Sequence, residues 1–348
     1  MFHLYRAEIP NERARWLEAW ERSPGREPSC HPSYVELFSR GDERARLAHY
    51  EAPGGGVLYP LIQRPLASLD WAAGSAGCDL SSPYGYGGPY AWGDAVGSAP
   101  EFFEGLDQWA QAEGVVSSFT RLSLFEDDLP ALPSAPSPRF GNVVRPLDLS
   151  EDELWRDYAH KVRKNVKRAQ AAGLTVSADP GFETLSTFIR IYTETMDRRA
   201  ASESFYFNAE FFTRLVRELP GGAVLFNVWH QGEIISTELT LRSTKTLYSF
   251  LGGTLAEHFD LRPNDLLKHE AILWAKAAGL QRFVLGGGYG GEDGIYRYKL
   301  AFAPRGTRPF CVLNRVHDAE AEAALIAGRR RAEPGWEPKE GFFPSYRS

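Results

Sequence analysis

The chain has 348 residues, of which 43% are hydrophobic and 13% aromatic, so it is long enough to bury the cores of two domains. Its formal net charge of −6 argues against a protein that coats nucleic acid indiscriminately, although it is compatible with a local basic patch. Cys30, Cys78 and Cys311 lie far apart without a CxxC pair, which argues against a zinc site or a disulfide framework and favours a reduced, cytoplasmic setting. No apolar run approaches the length of a membrane helix, so we expect a soluble protein.

The first half of the chain predicts a mixture of helices and strands. The periodicity places helices at residues 12–22, 34–40 and 100–112, hairpin strands at 44–50 and 56–64, and a strand at 115–125. The segment 81–94 contains Tyr84 and Tyr86 among glycines, and it is either an ordered surface loop or one wall of a ligand site. The proline-rich segment 131–140 predicts a linker or exposed loop, near which a first domain would end.

The second half opens with Ser150 and Glu153, which are spaced as a capping box for a helix that we expect to run to residue 173. Its later part is basic, and Lys164 and Arg168 fall on one face. Basic residues near a helix C-terminus usually complement the helix dipole and stay solvated. The alternative is a stripe that contacts phosphate groups.

The rest of the chain alternates between helices and strands, and one motif in it repeats. Helices are predicted at 182–199, 209–219 and 264–278, a meander of strands at 223–229, 233–242 and 246–251, and a final strand and helix at 310–316 and 319–331. The pattern W-A-x-A-x-G occurs at 109–114 and again at 274–279, each time before an apolar strand. The repetition suggests two copies of one α/β unit.

The stretch 284–304, VLGGGYGGEDGIYRYKLAFAP, predicts a strand, a glycine loop and a short helix. Glycines permit positive φ and the close approach of a ligand. Tyr289 lies in this loop, and Tyr296, Tyr298 and Lys299 follow it. An ammonium group beside a glycine-lined cavity could stabilise negative charge on a reacting carbonyl or phosphate. The simpler interpretation is a flexible loop followed by a surface lysine.

Several segments in order resemble the FemAB- and FemX-like branch of the GNAT acyltransferase superfamily. They are SSPYGYGGPY (81–90), HKVRKNVKRAQAAG (160–173), YTETMDRRAASESFYF (192–207), LYSFLGG (247–253) and LGGG…YRYKLAFAP (285–304). The resemblance implies an α/β (α+β) fold of tandem GNAT-like domains, each a mixed, mainly antiparallel sheet flanked by helices. We expect an N-terminal domain at 1–145 and a C-terminal domain at 146–348 that carries the glycine loop and Lys299.

The resemblance also implies roles for single residues. Lys299 matches a lysine that would polarise an ester carbonyl or stabilise its tetrahedral oxyanion. Arg199 (or Arg198), Tyr206 and Tyr248 fall in segments that would hold the phosphates and peptide of an acceptor, although Tyr248 could simply pack in its strand. The full set of expected substrate-binding residues is Tyr84, Tyr86, Lys164, Arg168, Arg199, Tyr206, Tyr248, Tyr289, Tyr296 and Tyr298.

The implied activity is the transfer of an amino acid from aminoacyl-tRNA, as donor, to the amine of a peptidoglycan precursor or of a small peptide or natural product. The implied partners are therefore aminoacyl-tRNA and an amine acceptor, which could be a phosphate-containing cell-wall precursor, and no metal or redox cofactor is implied. The residues singled out show no Ser-His-Asp or Cys-His signature, so we expect direct attack by the acceptor amine. Asp197, Glu238 and Glu270 are candidate bases.

The chain departs from the GNAT pattern in one informative place. Ordinary GNAT enzymes wrap the coenzyme A pyrophosphate with a Q/R-x-x-G-x-G/A turn, but the comparable segment here, 258–267, has no glycine. Coenzyme A is therefore disfavoured, although Arg262 could contribute a different phosphate contact. Two alternatives stay open: an N-acyltransferase that uses an acyl thioester, and a non-catalytic binding protein that kept the scaffold.

Overall fold

Strands and helices alternate along the chain in the computed structural model, which describes residues 1–97 and 99–348. The strands are β1 (Phe2–Arg6), β2 (Arg44–Ala52), β3 (Gly55–Pro65), β4 (Cys78–Ser81), β5 (Tyr90–Gly93), β6 (Val115–Arg121), β7 (Ser137–Pro146), β8 (Thr175–Asp179), β9 (Ala223–His230), β10 (Glu233–Arg242), β11 (Thr246–Thr254), β12 (Arg282–Gly286) and β13 (Thr307–Val316). The helices are α1 (Pro10–Arg22), α2 (Pro32–Leu37), α3 (Pro100–Ala112), α4 (Glu151–Asp157), α5 (His160–Ala171), α6 (Leu185–Arg198), α7 (Ala209–Glu218), α8 (Pro263–Ala277), α9 (Gly294–Leu300) and α10 (Ala319–Ala332). The chain divides into two compact units.

The first unit consists of Met1–Arg139 and Phe310–Ser348. Its strands run in the order β1-β2-β3-β4-β6-β13, with β5 also paired to β3. The β4–β6 pair is parallel, whereas the pairs on either side are antiparallel. The helix α3 covers one face through buried Phe102 and Leu106. This unit is a mixed, mainly antiparallel sheet flanked by helices.

The second unit, Phe140–Pro309, has the strand order β7-β12-β11-β10-β9-β8. The β11–β12 pair is parallel and the pairs around it are antiparallel. The helices α5 and α8 pack on one core that includes Val166, Ala271 and Phe226. The helix α6 lies so close to β11 that a Cβ at Gly253 would be 2.6 Å from the Ile191 carbonyl oxygen.

The two units share one topology. In each, antiparallel strands lead through a crossover helix, α3 or α8, to a parallel strand, β6 or β12. The two W-A-x-A-x-G motifs occupy this crossover, and Gly114 and Gly279 follow the helices with φ of 64° and 76°. Positive φ after a helix favours glycine, which explains why the motif ends in it. The repeat suggested by the sequence therefore corresponds to one architectural step used twice.

The sequence-based boundaries of 1–145 and 146–348 differ from the observed units at the C-terminal end. The last strand of each unit comes from the other half of the chain, since β13 pairs with β6 and β7 pairs with β12. The segment 310–348 therefore belongs with the N-terminal unit. The expected linker at 131–140 also differs, because β7 already begins at Ser137.

The single helix expected from 150 to 173 is wrong, since the structure has two, α4 and α5. Ser150 and Glu153 form the predicted capping box. The helix then breaks because Tyr158 and Ala159 are extended, with ψ of 144° and 145°. The Tyr158 side chain is buried, and the Ala159 N–H donates to the Ala301 carbonyl oxygen at 2.9 Å.

None of the described helices combines the length and apolarity needed to cross a bilayer.

Candidate active site

The glycine loop between β12 and α9 is held by the residue that caps α9. The Asp293 carboxylate accepts hydrogen bonds from the backbone N–H of Tyr296 and of Tyr289, both at 2.8 Å. A side chain at Gly288 would collide with this carboxylate, since its Cβ would be 2.3 Å from Oδ1 of Asp293. The loop is thus folded back onto the start of the helix that carries Lys299.

Lys299 points from α9 under the end of β12. Its Nζ donates to the carbonyl oxygen of Gly287 at 2.7 Å. Gly286 has φ of 86°, and a Cβ there would be 3.1 Å from the Lys299 Nζ. The positive φ favours glycine at this position, and the missing side chain leaves room for the ammonium group beside the backbone.

Burial lowers the pKa of Lys299 from its ordinary value of 10.5 to about 8, and the like charge of Lys268 acts in the same direction. Glu238 and Asp293 oppose the shift. The group is therefore still mainly an ammonium ion at pH 7. Because it has lost much of its hydration, it can interact strongly with an oxyanion that develops beside it.

A buried ion pair lies next to Lys299. Lys268 of α8 pairs with Glu238 of β10, and each side chain is 9% exposed. Ser249 of β11 donates to Glu238 and accepts from the Lys268 Nζ at 2.8 Å. The pair is thereby hydrogen-bonded on both sides, which a buried charge pair requires.

Sequence reasoning named Glu238 only as one of several candidate bases and missed Lys268 and Ser249. The sequence signal that could have indicated Glu238 and Lys268 was a charged residue placed among the apolar residues of β10 and α8.

The parallel strands β11 and β12 are in register over only three positions. Thr246–Tyr248 pair with Arg282–Val284, after which β11 continues to Thr254 while β12 ends at Gly286. The β12 register against β7 also shifts between Val284 and Gly286. The strands thus separate at the position of Ser249 and the glycine loop, where a ligand could reach Lys299.

Tyr298 places a hydroxyl in the same region. Its ring packs against Phe302 at 5.4 Å between centroids, and its hydroxyl is buried without a hydrogen-bond partner among the described residues. Burial, with Asp265 and Glu238, raises its pKa well above the ordinary value. A buried hydroxyl without a partner is destabilising by about 1–3 kcal/mol, so a polar group that reached this position would remove that cost.

The other tyrosines expected at the site differ in exposure. Tyr296 is buried and hydrogen-bonded to Thr307 at 2.8 Å, and Tyr248 is also buried. Tyr289 is 68% exposed, and its ring meets Phe205 edge-on. Tyr206 is exposed, and desolvation together with the nearby Asp197 carboxylate raises the pKa of its hydroxyl. Of these, Tyr289 and Tyr206 are the ones that a ligand could contact without rearrangement.

The expected basic residues lie on the surface of the second unit. Lys164 and Arg168 are exposed on α5, together with Lys161 and Lys167. Arg199 is exposed at the C-terminal end of α6. Its neighbour Arg198 lies over the Phe259 ring at 5.0 Å. The charges on α5 form a continuous exposed stripe, as the helical spacing predicts.

Tyr84 and Tyr86 belong to the first unit, whereas Lys299 belongs to the second. Tyr84 is 40% exposed and its ring stacks on Phe38 at 5.6 Å. Tyr86 meets Phe310 edge-on at 5.8 Å. A cavity of about 620 Å³ in this unit, lined by Leu66, Trp71, Val116, Leu325 and Arg331 among others, includes none of the expected site residues.

The N-terminus of α8, where a pyrophosphate would be expected to bind, is filled by the chain itself. Asn264 accepts hydrogen bonds from the Ser236 and Thr254 hydroxyls at 3.1 and 2.8 Å. Asp265 places a buried carboxylate in the first turn, held by Asn165 at 3.1 Å. The Asp265 carboxylate would repel an anion in this position.

Within the described residues no group of three His, Cys, Asp or Glu side chains is arranged to hold a metal ion.

Part of the chain matches a known protein family. Residues 156–300 match the model of an acetyltransferase (GNAT) domain, a span that includes Glu238, Lys268 and Lys299. No curated protein matches the chain at a significant level. The family match supports an acyltransferase.

Solved structures show the same fold at low sequence identity. FemX superposes with a TM-score of 0.64 and 14% identity, over 90% of this chain and 98% of that one. The C-terminal domain of a putative lysylphosphatidylglycerol synthetase from Agrobacterium fabrum gives 0.54 and 13%, over 90% and 93%. A Bacteroides thetaiotaomicron protein of unknown function gives 0.51 and 11%, over 82% and 89%. The chain therefore shares its fold with FemX and with these two proteins.

Proposed function

We propose that the protein is an aminoacyltransferase that moves an amino acid from aminoacyl-tRNA to an amine and so forms an amide bond. The observation that carries this proposal is the Lys299 ammonium group, partly stripped of water and fixed under the glycine loop at the point where β11 and β12 separate. Such a group is suited to an ester carbonyl that becomes an oxyanion.

The chemistry needs little beyond alignment and charge stabilisation. The acceptor amine attacks the ester carbonyl, and the developing oxyanion receives a hydrogen bond from Lys299. The bond to the ribose oxygen then breaks, and the proton lost by the amine balances the charge on that leaving oxygen. Alignment of an amine with an activated ester can supply roughly 7–11 kcal/mol of the required rate enhancement.

A tRNA donor is supported by where the positive charge lies. The α5 stripe of Lys161, Lys164, Lys167 and Arg168 is exposed, and Lys161 acts electrostatically on Asp265 at the start of α8. Exposed cations suit a polyanion that stays outside the protein. The buried Asp265 carboxylate, in contrast, opposes a pyrophosphate at the α8 N-terminus.

The acceptor would be an amine on a peptide, a natural product or a phosphate-containing cell-wall precursor. Arg199, Tyr206 and Tyr289 are exposed candidates for binding it. The similarity in fold to FemX and to a putative lysylphosphatidylglycerol synthetase domain supports transfer of an amino acid to such an acceptor.

A second candidate function is N-acyl transfer from an acyl-coenzyme A, which is favoured by the match of residues 156–300 to an acetyltransferase domain. Salt dependence separates the two donors. Binding of tRNA weakens steeply as salt rises because counterions are released, whereas binding of coenzyme A depends on salt much less. Filter binding of aminoacyl-tRNA at low and high salt, beside calorimetry with acetyl-coenzyme A, therefore tests the proposal. Micromolar coenzyme A binding without tRNA retention would replace it with the second candidate.

A further inference from the structure

Arg121 of the first unit forms no ion pair with a carboxylate in the part of the chain that the structure describes. Arg121 ends β6, and its backbone is bound into the 81–90 loop on both sides: its N–H donates to the Ser82 Oγ at 3.0 Å and its carbonyl accepts from the Gly87 N–H at 2.7 Å. Its Nη1 donates to the Ser82 carbonyl oxygen at 3.2 Å. The guanidinium group lies over the Phe119 ring at 4.9 Å.

One edge of this guanidinium group is free. Nε and Nη2 of Arg121 make no hydrogen bond within residues 1–97 and 99–348, and they are not sealed from solvent. These two N–H groups point in parallel, and they form the edge with which arginine binds a carboxylate or phosphate through two hydrogen bonds. The remaining contacts of Arg121 hold that edge in place.

The surroundings add positive charge. Burial lowers the pKa of Arg121, and the like charge of nearby Arg64 acts in the same direction. Arg64 pairs with Asp79 at 2.6 Å, but this fully buried carboxylate is shared with Arg347. The Asp79 carboxylate therefore pairs with both Arg64 and Arg347, and it does not compensate the charge of Arg121.

We propose that Arg121 is the centre of an oxyanion-binding site in the first unit, which takes the phosphate or carboxylate group of a small molecule. A part-buried cation without a counter-charge costs free energy that a bound anion would recover. The exposed Tyr84 ring, supported by Phe38 and by the bond from the Tyr34 hydroxyl to the Tyr84 carbonyl oxygen, forms an adjacent wall. This inference does not depend on the proposed transfer reaction.

The test is direct binding of inorganic pyrophosphate, inorganic phosphate and succinate to the full chain, by calorimetry at constant ionic strength set with chloride. We expect at least one of them to bind, and Arg121→Gln to weaken that binding by at least about tenfold. Arg121→Lys should keep part of it. Arg15→Gln, at an exposed arginine of the same unit, should leave it unchanged. Preference for pyrophosphate or for succinate would identify which oxyanion the site takes.

A second measurement keeps the test valid if Arg121→Gln fails to fold. The Nε–H resonance of Arg121, assigned in the wild-type chain by comparison with Arg121→Lys, should shift on addition of the bound anion. Equal binding by wild type and Arg121→Gln, or no anion effect beyond that of chloride, would overturn the proposal.

Discussion

The Nζ of Lys299 lies 2.7 Å from the carbonyl oxygen of Gly287. One of the three donors of the ammonium group is thus committed to the glycine loop, and no other hydrogen bond of this group occurs among the described residues. The loop is in turn tied to α9 by Asp293. The two ends of the loop therefore fix the direction in which Lys299 presents its remaining donors.

Replacing Lys299 with Met should abolish most transfer while stabilising the fold. Loss of one donor to an oxyanion costs about 2.7–4 kcal/mol of transition-state stabilisation, or roughly 100- to 1000-fold in kcat. The melting temperature at pH 7 should rise, because the cost of burying a charge disappears. Single-turnover transfer and thermal melts check both effects. Lys339→Met, at an exposed lysine, should change neither.

The pH dependence should report the titration of Lys299. Its pKa is lowered to about 8, so the ammonium form is lost as pH rises through that value, and kcat should fall there. Initial rates corrected for spontaneous ester hydrolysis would show this alkaline limb. The folded state binds fewer protons than the unfolded state between pH 8 and 10.5, so the stability contribution of this group should increase over that range. In Lys299→Met that increase should be missing.

Gly286→Ala tests whether the backbone must approach Lys299 closely. Its φ of 86° is unfavourable for alanine by roughly 1–2 kcal/mol, and the new Cβ would be 3.1 Å from the Lys299 Nζ. We expect lower stability and a loss of kcat. Gly294→Ala is the matched control, since no atom lies within 4 Å of a Cβ there and its φ is not positive. Equal activity of both variants would contradict the proposed geometry.

The Glu238–Lys268 pair should be strongly non-additive. Glu238→Gln or Lys268→Met alone leaves a buried charge and should lower the free energy of unfolding by about 3–5 kcal/mol. The double variant should lose much less than the sum. Urea denaturation in a double-mutant cycle measures the coupling. The exposed pair Arg190–Glu194 provides the control and should show about 0–1 kcal/mol.

Neutralising the α5 stripe should weaken tRNA binding and lower its salt dependence. If Lys161, Lys164, Lys167 and Arg168 are changed to Gln, the slope of log K against log salt should fall by about 0.7–0.9 for each phosphate that the protein no longer neutralises. Filter binding across a salt series measures the slope. A control with Arg15→Gln and Arg40→Gln, both exposed in the first unit, should keep it. An unchanged slope in the stripe variant would mean that α5 is only a solvated helix face.

Much of the fold could be predicted because strong local patterns decide it. The helix α3 has the predicted bounds, 100–112, and the β9–β10–β11 meander lies where the alternation placed it. Short strands such as β4 and β8 were missed, since four or five residues carry little periodicity. The break after Tyr158 was missed because a tertiary hydrogen bond from the Ala159 N–H to the Ala301 carbonyl oxygen overrides helix propensity there.

The candidate site was only partly predictable. The glycine loop and Lys299 are neighbours in sequence, so their association could be inferred locally. Glu238, Ser249 and Lys268 come from two strands and a helix, and only the folded sheet brings them together. Likewise, nothing local in the sequence distinguishes Arg121 from a surface arginine.

The part that Lys299 plays in aminoacyl transfer can be measured by incubating wild type and Lys299→Met, side by side, with an amine acceptor and tRNA charged with a mixture of radiolabelled amino acids. Wild type should move label from one aminoacyl-tRNA into an alkali-stable amide, and Lys299→Met should do so roughly 100- to 1000-fold more slowly. Equal rates for the two proteins would contradict the role of Lys299. The absence of transfer by wild type from every aminoacyl-tRNA, with acyl transfer from acetyl-coenzyme A instead, would contradict the proposed donor.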